Sequence, residues 1–164
     1  MLARAAGPFL SQIPEGVRLV DLHSSRVLFS IGSLKNYILS QKPDAILSAV
    51  DYTNIVAIWA RWLADSPDSL VIVEHNTLSK RVSQLPVFLR SMLPRLMHYS
   101  YPRASCIAGV SNGVADDLSA TADLPRQKIR VIYNPVITSD IQEKTQAPLE
   151  HPWFRPGQPP VLVA

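Results

Sequence analysis

Three short, almost wholly apolar runs, Ala45 to Val50 (AILSAV), Leu70 to Val73 (LVIV) and Cys106 to Val110 (CIAGV), recur along the chain with segments of helical composition between them. A strand that is apolar at successive positions has to be covered on both faces, which is the situation of a parallel sheet under helices. The intervening text has the matching period. Arg26 to Gln41 places Leu28, Ile31, Leu34, Ile38 and Leu39 at helical spacing before Pro43-Asp44 breaks it, Thr53 to Leu63 has helical composition, and Gly113 to Ala120 follows the third run. Lys80 to Pro102 is a longer helical region, expected to bend at Pro86 and Pro94. Val17 to Leu22 (VRLVDL) and Ile129 to Tyr133 read as further short strands. The alternation predicts an α/β domain with a doubly wound parallel sheet of the Rossmann-like kind.

The chain has 164 residues, 47% of them hydrophobic, enough for one domain that buries roughly two-thirds of its unfolded surface. Beyond Asn134-Pro135 the text turns polar and proline-rich without periodicity, then closes on Val161 to Ala164, which reads as a strand just begun. The expected organisation is therefore residues 1–138 as the Rossmann-like domain with its first strand missing, 139–160 as a proline-rich interdomain linker, and 161–164 as the opening strand of a second domain. A net charge of +3 is far from the dense Lys/Arg stripes of a nucleic-acid binder, which excludes that class. One cysteine, Cys106, permits neither a disulfide framework nor a cysteine metal site, and it points to a reducing compartment. No apolar run reaches the ~18–20 residues of a membrane span, and the first ten residues are too broken by Gly7 and Pro8 for a secretory signal. A cytoplasmic location is the expectation.

In an open α/β sheet, ligands bind beyond the C-terminal ends of the strands. That rule selects Asp51-Tyr52-Thr53-Asn54, Glu74-His75-Asn76-Thr77, Ser111-Asn112-Gly113 and Asn134. Gly109 to Gly113 (GVSNG) has the Gly-x-Ser-x-Gly spacing of a serine-hydrolase elbow. A nucleophilic Ser111 would need a histidine base later in the chain, and only His151, beside Pro152 in the proline-rich stretch, follows it. Ser111 is better read as a helix N-cap, with Asp116 and Asp117 complementing the helix dipole, and second as a binding group at an exposed helix start. Glu74, His75 and Asn76 form the stronger constellation: three hydrogen-bonding side chains ending an apolar strand at the ligand-facing rim, His75 able to donate to a hydroxyl or to stabilise positive charge. The alternative for His75 is a ring satisfied by a neighbouring loop carbonyl. His23 and His98 read as structural or exposed. No His/Cys/Asp/Glu cluster has metal-ligand spacing and there is no Asp-x-Asp triplet, so no metal and no cofactor are expected.

From His75 to Ala115 no acidic residue occurs, while Lys80, Arg81, Arg90, Arg95 and Arg103 interleave with Leu85, Phe88, Leu89, Met92 and Leu93. This reads as a basic amphipathic helix with Lys80, Arg81, Arg90 and Arg95 able to meet an anionic bilayer, which would put the protein on the inner face of the cytoplasmic membrane. The alternative is a packed helix with a solvated basic face.

Taken in order, PDAILSAV, VIVEHNTLSK, ASCIAGVSNGVADDL and KIRVIYNPV resemble the N-terminal domain of group 1 (family 4) glycosyltransferases of the GT-B architecture, from about Gly7 to Ala164. The resemblance implies a retaining transfer of a sugar from a nucleotide-sugar to a polysaccharide, lipid or other envelope acceptor, without a metal ion. It matches His75 to a histidine that faces the donor sugar as the catalytic residue, and Ser111 and Asn134 to positions lining or bordering an interdomain cleft, with Glu74, Asn76, Asn112 and Gly113 as substrate-binding neighbours. The family's glycine-rich turn and its second domain lie outside this sequence, so the chain alone is expected to turn over little. The readings set against this one are a serine hydrolase through GVSNG and a non-catalytic binding module.

Overall fold

The structure, a computed structural model, describes residues 10–135, 139–148 and 151–161. It divides into two compact units, Met1–Tyr133 and Asn134–Ala164. In the first, helix α1 (Ile31–Gln41) is entered through a 3-10 turn, Val27–Ser30, and is followed by strand β1 (Ala45–Ala49), α2 (Asp51–Leu63), β2 (Ser69–Glu74), α3 (Leu78–Ser83), α4 (Val87–Ser100), β3 (Cys106–Gly109), α5 (Asn112–Ala122) and β4 (Ile129–Val131). The four strands form one parallel sheet in the order β1-β2-β3-β4. The fold is α/β and Rossmann-like, as the alternation predicts.

Local chemistry explains the element ends. α1 stops where Lys42 takes a left-handed conformation (φ 45°) and returns its N–H to the Ile38 carbonyl, after which Pro43 cannot continue the helix. Register then places Ile46 beside Leu70, Ile72 beside Ile107 and Ile107 beside Ile129. These side chains, with Ile55 and Ile58 of α2, Leu93 and Met97 of α4 and Leu118 of α5, make the core. Leu70 and Ile72 are fully buried, each worth roughly 1.5–3 kcal/mol relative to exposure. On the opposite face, at the β1 edge, Leu47 is 75% exposed. Gly109 ends β3 where α5 crosses closely: a Cβ there would sit 3.2 Å from the Ala115 nitrogen, so a larger first residue in GVSNG would make α5 give by a few tenths of an ångström.

Three sequence expectations differ from the structure. Val17 to Leu22 is not a strand; it makes a single isolated bridge at Asp21, and Val17 and Leu19 stay exposed. Lys80 to Pro102 is two helices. Pro86, with φ −52° and ψ 144°, has no N–H to give and excludes the helical region for the residue before it, whereas Pro94 lies inside α4, whose helical run continues through it. In the second unit, helix α6 (Ser139–Gln146) and a 3-10 turn, Pro152–Phe154, occupy part of the stretch read as unperiodic linker. A helix with a single apolar residue, Ile141 in SDIQEKTQ, carries no apolar period to reveal it. Val161 is in no strand, and 162–164, like 136–138, lie outside the described residues.

Candidate functional site

Because the strands are parallel, their C-terminal ends share one rim, and the ladder carries one residue beyond the strands: Val50 N–H bonds the Val73 carbonyl and Val110 N–H the Glu74 carbonyl. Next to this rim lies a cavity of about 570 Å³, walled by Val50 and Asp51 after β1, by Glu74 to Leu78 after β2, by Lys80, Arg81 and Gln84 of α3, and by Val114 of α5. His75 and Asn76 are exposed here, and among the described residues the His75 ring makes no hydrogen bond, so the loop-carbonyl alternative for it is not realised. Val50 takes φ 74° and ψ 141°, a region that β-branched residues avoid. Strain of order 1–3 kcal/mol is held at the cavity wall by the ladder bond to Val73 and by the Asn54 N–H on the Val50 carbonyl.

Glu74 is buried although it lines the cavity. Alternation along β2 puts it on the face of Leu70 and Ile72, beneath the helices, unlike the exposed His75 and Asn76 beside it. Its Oε1 accepts from the Tyr101 hydroxyl and from the Asn54 amide at 2.9 Å; that amide also reaches the Val73 carbonyl at 3.1 Å, while Asn54 Oδ1 is buried without a partner. Burial lifts the Glu74 carboxyl from 4.5 to about 7, against the two donors that favour its charged form and with a smaller upward push from Asp51. Burial, and then Glu74 itself, push the Tyr101 phenol well above its ordinary range, so Tyr101 remains the donor. The cavity floor is thus a buried carboxyl that titrates near neutrality, directly before His75.

Arg81 is not on the same helix as Arg90 and Arg95. From α3 its Nε donates to Asp51 Oδ2 at 3.2 Å, its guanidinium lies 5.6 Å from the centre of the Tyr52 ring, and with Lys80 it lines the cavity. Arg90 and Arg95 belong to α4, where Arg90 Nε bonds the Leu85 carbonyl. Among the described residues no group of three or more His, Cys, Asp or Glu is placed to hold a metal ion.

The family model described as Glycosyltransferase Family 4 matches residues 3–140, most of the chain. The chain belongs to glycosyltransferase family 4. No curated protein matches the sequence.

In this family 4 domain Ser111 caps α5, its Oγ accepting the Val114 N–H at 3.2 Å, and among the described residues no histidine reaches it. Asn112 donates to the Tyr133 hydroxyl and accepts from Arg126, and Gly113 follows it in the first turn of α5; neither lines the cavity. Asn134 follows β4 as the first residue of the second unit. Asp116 and Asp117 do not serve the α5 dipole as expected. Asp116 pairs with Arg126, and Asp117 accepts the Ser79 N–H at 3.0 Å, which ties the start of α3 to α5. His98 bonds the Ala122 and Asp123 carbonyls at the end of α5, and His23 is exposed with φ 50°. The glycosyltransferase cavity therefore gathers His75, Asn76, Asp51, Arg81, Lys80 and Gln84. Strand-end reasoning reached Asp51, but the roles of Asn54 and Tyr101 and the place of Gln84 and Val114 lay beyond it. One signal was available: Asn54 is a polar residue on the apolar face of α2, the position of a group with a buried partner.

Proposed function

We propose that this domain is the acceptor-side half of a retaining glycosyltransferase that moves a sugar from a nucleotide-sugar to a polysaccharide, lipid or other envelope acceptor, with no metal ion in the transfer. The observation that carries the reading is His75: an exposed ring, without a partner among the described residues, on a cavity at the C-terminal rim of a parallel sheet in a family 4 chain. There it hydrogen-bonds the reacting sugar and stabilises charge as an oxocarbenium-like state develops, the task to which preorganised dipoles contribute most. Asn76 orients the same sugar, and Ser111, Asn112 and Gly113 border the cleft from α5. A second domain outside this sequence holds the donor nucleotide. In the full-length protein, His75→Ala is expected to lower kcat/KM for sugar transfer about a hundredfold, by analogy with loss of one transition-state donor. Unchanged kcat/KM would remove His75 from the mechanism. The hydrolase reading is not favoured, because the Ser111 hydroxyl is occupied as a cap.

The same reading places the domain at an anionic membrane surface through α4. Phe88, Met92, Arg95 and Tyr99 recur on one stripe of that helix, whose apolar members are exposed, as is Val87 at the helix start, while Arg90 stands on another side of it. No helix among the described residues is long and apolar enough to cross a membrane. Arg90→Glu with Arg95→Glu is expected to reduce flotation with vesicles containing phosphatidylglycerol at least tenfold, at ~1 kcal/mol for each basic residue lost and more for each charge reversed. Equal flotation of both forms would refute the contact.

A further inference from the structure

Resting on the acceptor-side reading above, we propose that the acceptor taken by this cavity carries an oxyanion, a phosphate or a carboxylate, which Arg81 and Lys80 hold. Two cations and two carboxyl groups line the cavity, and both carboxyl residues are buried and engaged in hydrogen bonds. Glu74 Oε1 accepts from Tyr101 and Asn54. The Asp51 side chain is 9% exposed, with Oδ1 taken by the Tyr52 N–H at 2.7 Å and Oδ2 by Arg81 Nε; the Arg81 side chain is 42% exposed. The ion pair therefore has its negative end inside and its positive end facing the cavity. With Nε committed to Asp51 and the plane resting near Tyr52, the guanidinium is oriented before any ligand arrives. Its two terminal amino groups, which have no partner among the described residues, are left as the parallel donors that suit a two-oxygen anion. Lys80, also without a described partner, adds a second positive charge on the same wall. The Asn76 and Gln84 amides on the same cavity can serve sugar hydroxyls, and the more exposed charged groups beside them are the cations Lys80 and Arg81.

The test is a titration of the isotope-labelled chain, followed by the amide signals of residues 78–84 and the Arg81 Nε–H signal. The probes are glucose 1-phosphate, glucuronate, methyl α-glucoside and, separately, ADP, GDP and UDP. Glucose 1-phosphate or glucuronate is expected to shift these signals at concentrations at least about tenfold lower than methyl α-glucoside, and the tighter of the two tells whether the anion is phosphate or carboxylate. Arg81→Gln and Lys80→Gln are each expected to weaken that binding about tenfold, the usual worth of one charge-assisted contact. Lys80→Gln touches no described partner, so it leaves the fold intact even if loss of the Asp51 pair unsettles the Arg81 variant. Anion binding indifferent to both substitutions, or methyl α-glucoside binding as tightly as the anions, would overturn the proposal. So would tighter binding of a nucleoside diphosphate at the same residues, which would give the cavity to the donor. Methyl α-glucoside shifting only His75 and Asn76 would sink the anion while leaving the sugar-transfer reading in place; that reading fails separately, on the His75→Ala kinetics.

Discussion

Tyr101→Ala is expected to destabilise the sheet domain by about 3–5 kcal/mol, the cost of deleting a fully buried aromatic ring, against a total stability of only about 5–15 kcal/mol. Two losses coincide at this position. The ring is the largest fully buried side chain among the described residues and packs in the cluster that joins α2, α4 and the sheet, and its hydroxyl is one of two donors to the Glu74 carboxyl. Tyr101→Phe separates them, since it keeps the ring and removes the donor; about 1–3 kcal/mol is expected. The loss should be larger at pH 8, where Glu74 is charged, than at pH 5, where it is neutral and needs the donor less. Urea unfolding of the three forms at both pH values measures this. A Tyr101→Phe cost that is the same at pH 5 and pH 8 would show that the hydroxyl does not serve the carboxylate.

Glu74→Gln is expected to flatten the pH dependence of stability between about pH 4.5 and 7. The direction follows from proton counting. In the folded chain the carboxyl holds its proton up to about pH 7, whereas in the unfolded chain it releases it near 4.5, so over this window the folded state binds more protons and stability falls as pH rises. Below the window the penalty is absent; above it the penalty is complete, at about 3 kcal/mol from 1.36 kcal/mol per pKa unit. Glutamine resembles the neutral acid and carries no such penalty. The wild type should therefore lose up to about 3 kcal/mol relative to Glu74→Gln on going from pH 4.5 to pH 8, read from urea midpoints at constant ionic strength. Parallel curves for the two proteins would place the carboxyl's titration elsewhere. Glu74 therefore exchanges its proton near neutrality, directly before His75.

How far residues announce their roles depends on how local those roles are. β1, β2, β3 and β4 were legible because a run such as LVIV is apolar at successive positions over a strand's length, and the helices between them because their apolar residues recur at helical spacing. The location of the site was legible too, since parallel strands with right-handed crossovers bring all their C-terminal ends to one rim. Even the fate of Glu74 was written in the alternation of Leu70, Ile72 and Glu74, though a polar residue at a strand end looks like a ligand group until the strand's length is known. Arg81 and Arg90 belong to one basic stretch by composition, and Leu85-Pro86 separates them onto two helices with different surroundings.

The chain's own text thus determined that there would be a parallel α/β sheet and which loops would meet at its rim, because propensity and periodicity act between residues a few positions apart. Only the tertiary structure decided that Tyr101, 27 residues downstream, would donate to Glu74, and that Asp51 and Arg81, 30 residues apart, would pair with the positive end facing the cavity. Such partners are chosen by the packing of one helix on another. Hydrogen bonds and charges act over a few ångströms of space whatever their distance along the chain, and no local pattern records which groups the fold will bring within that reach.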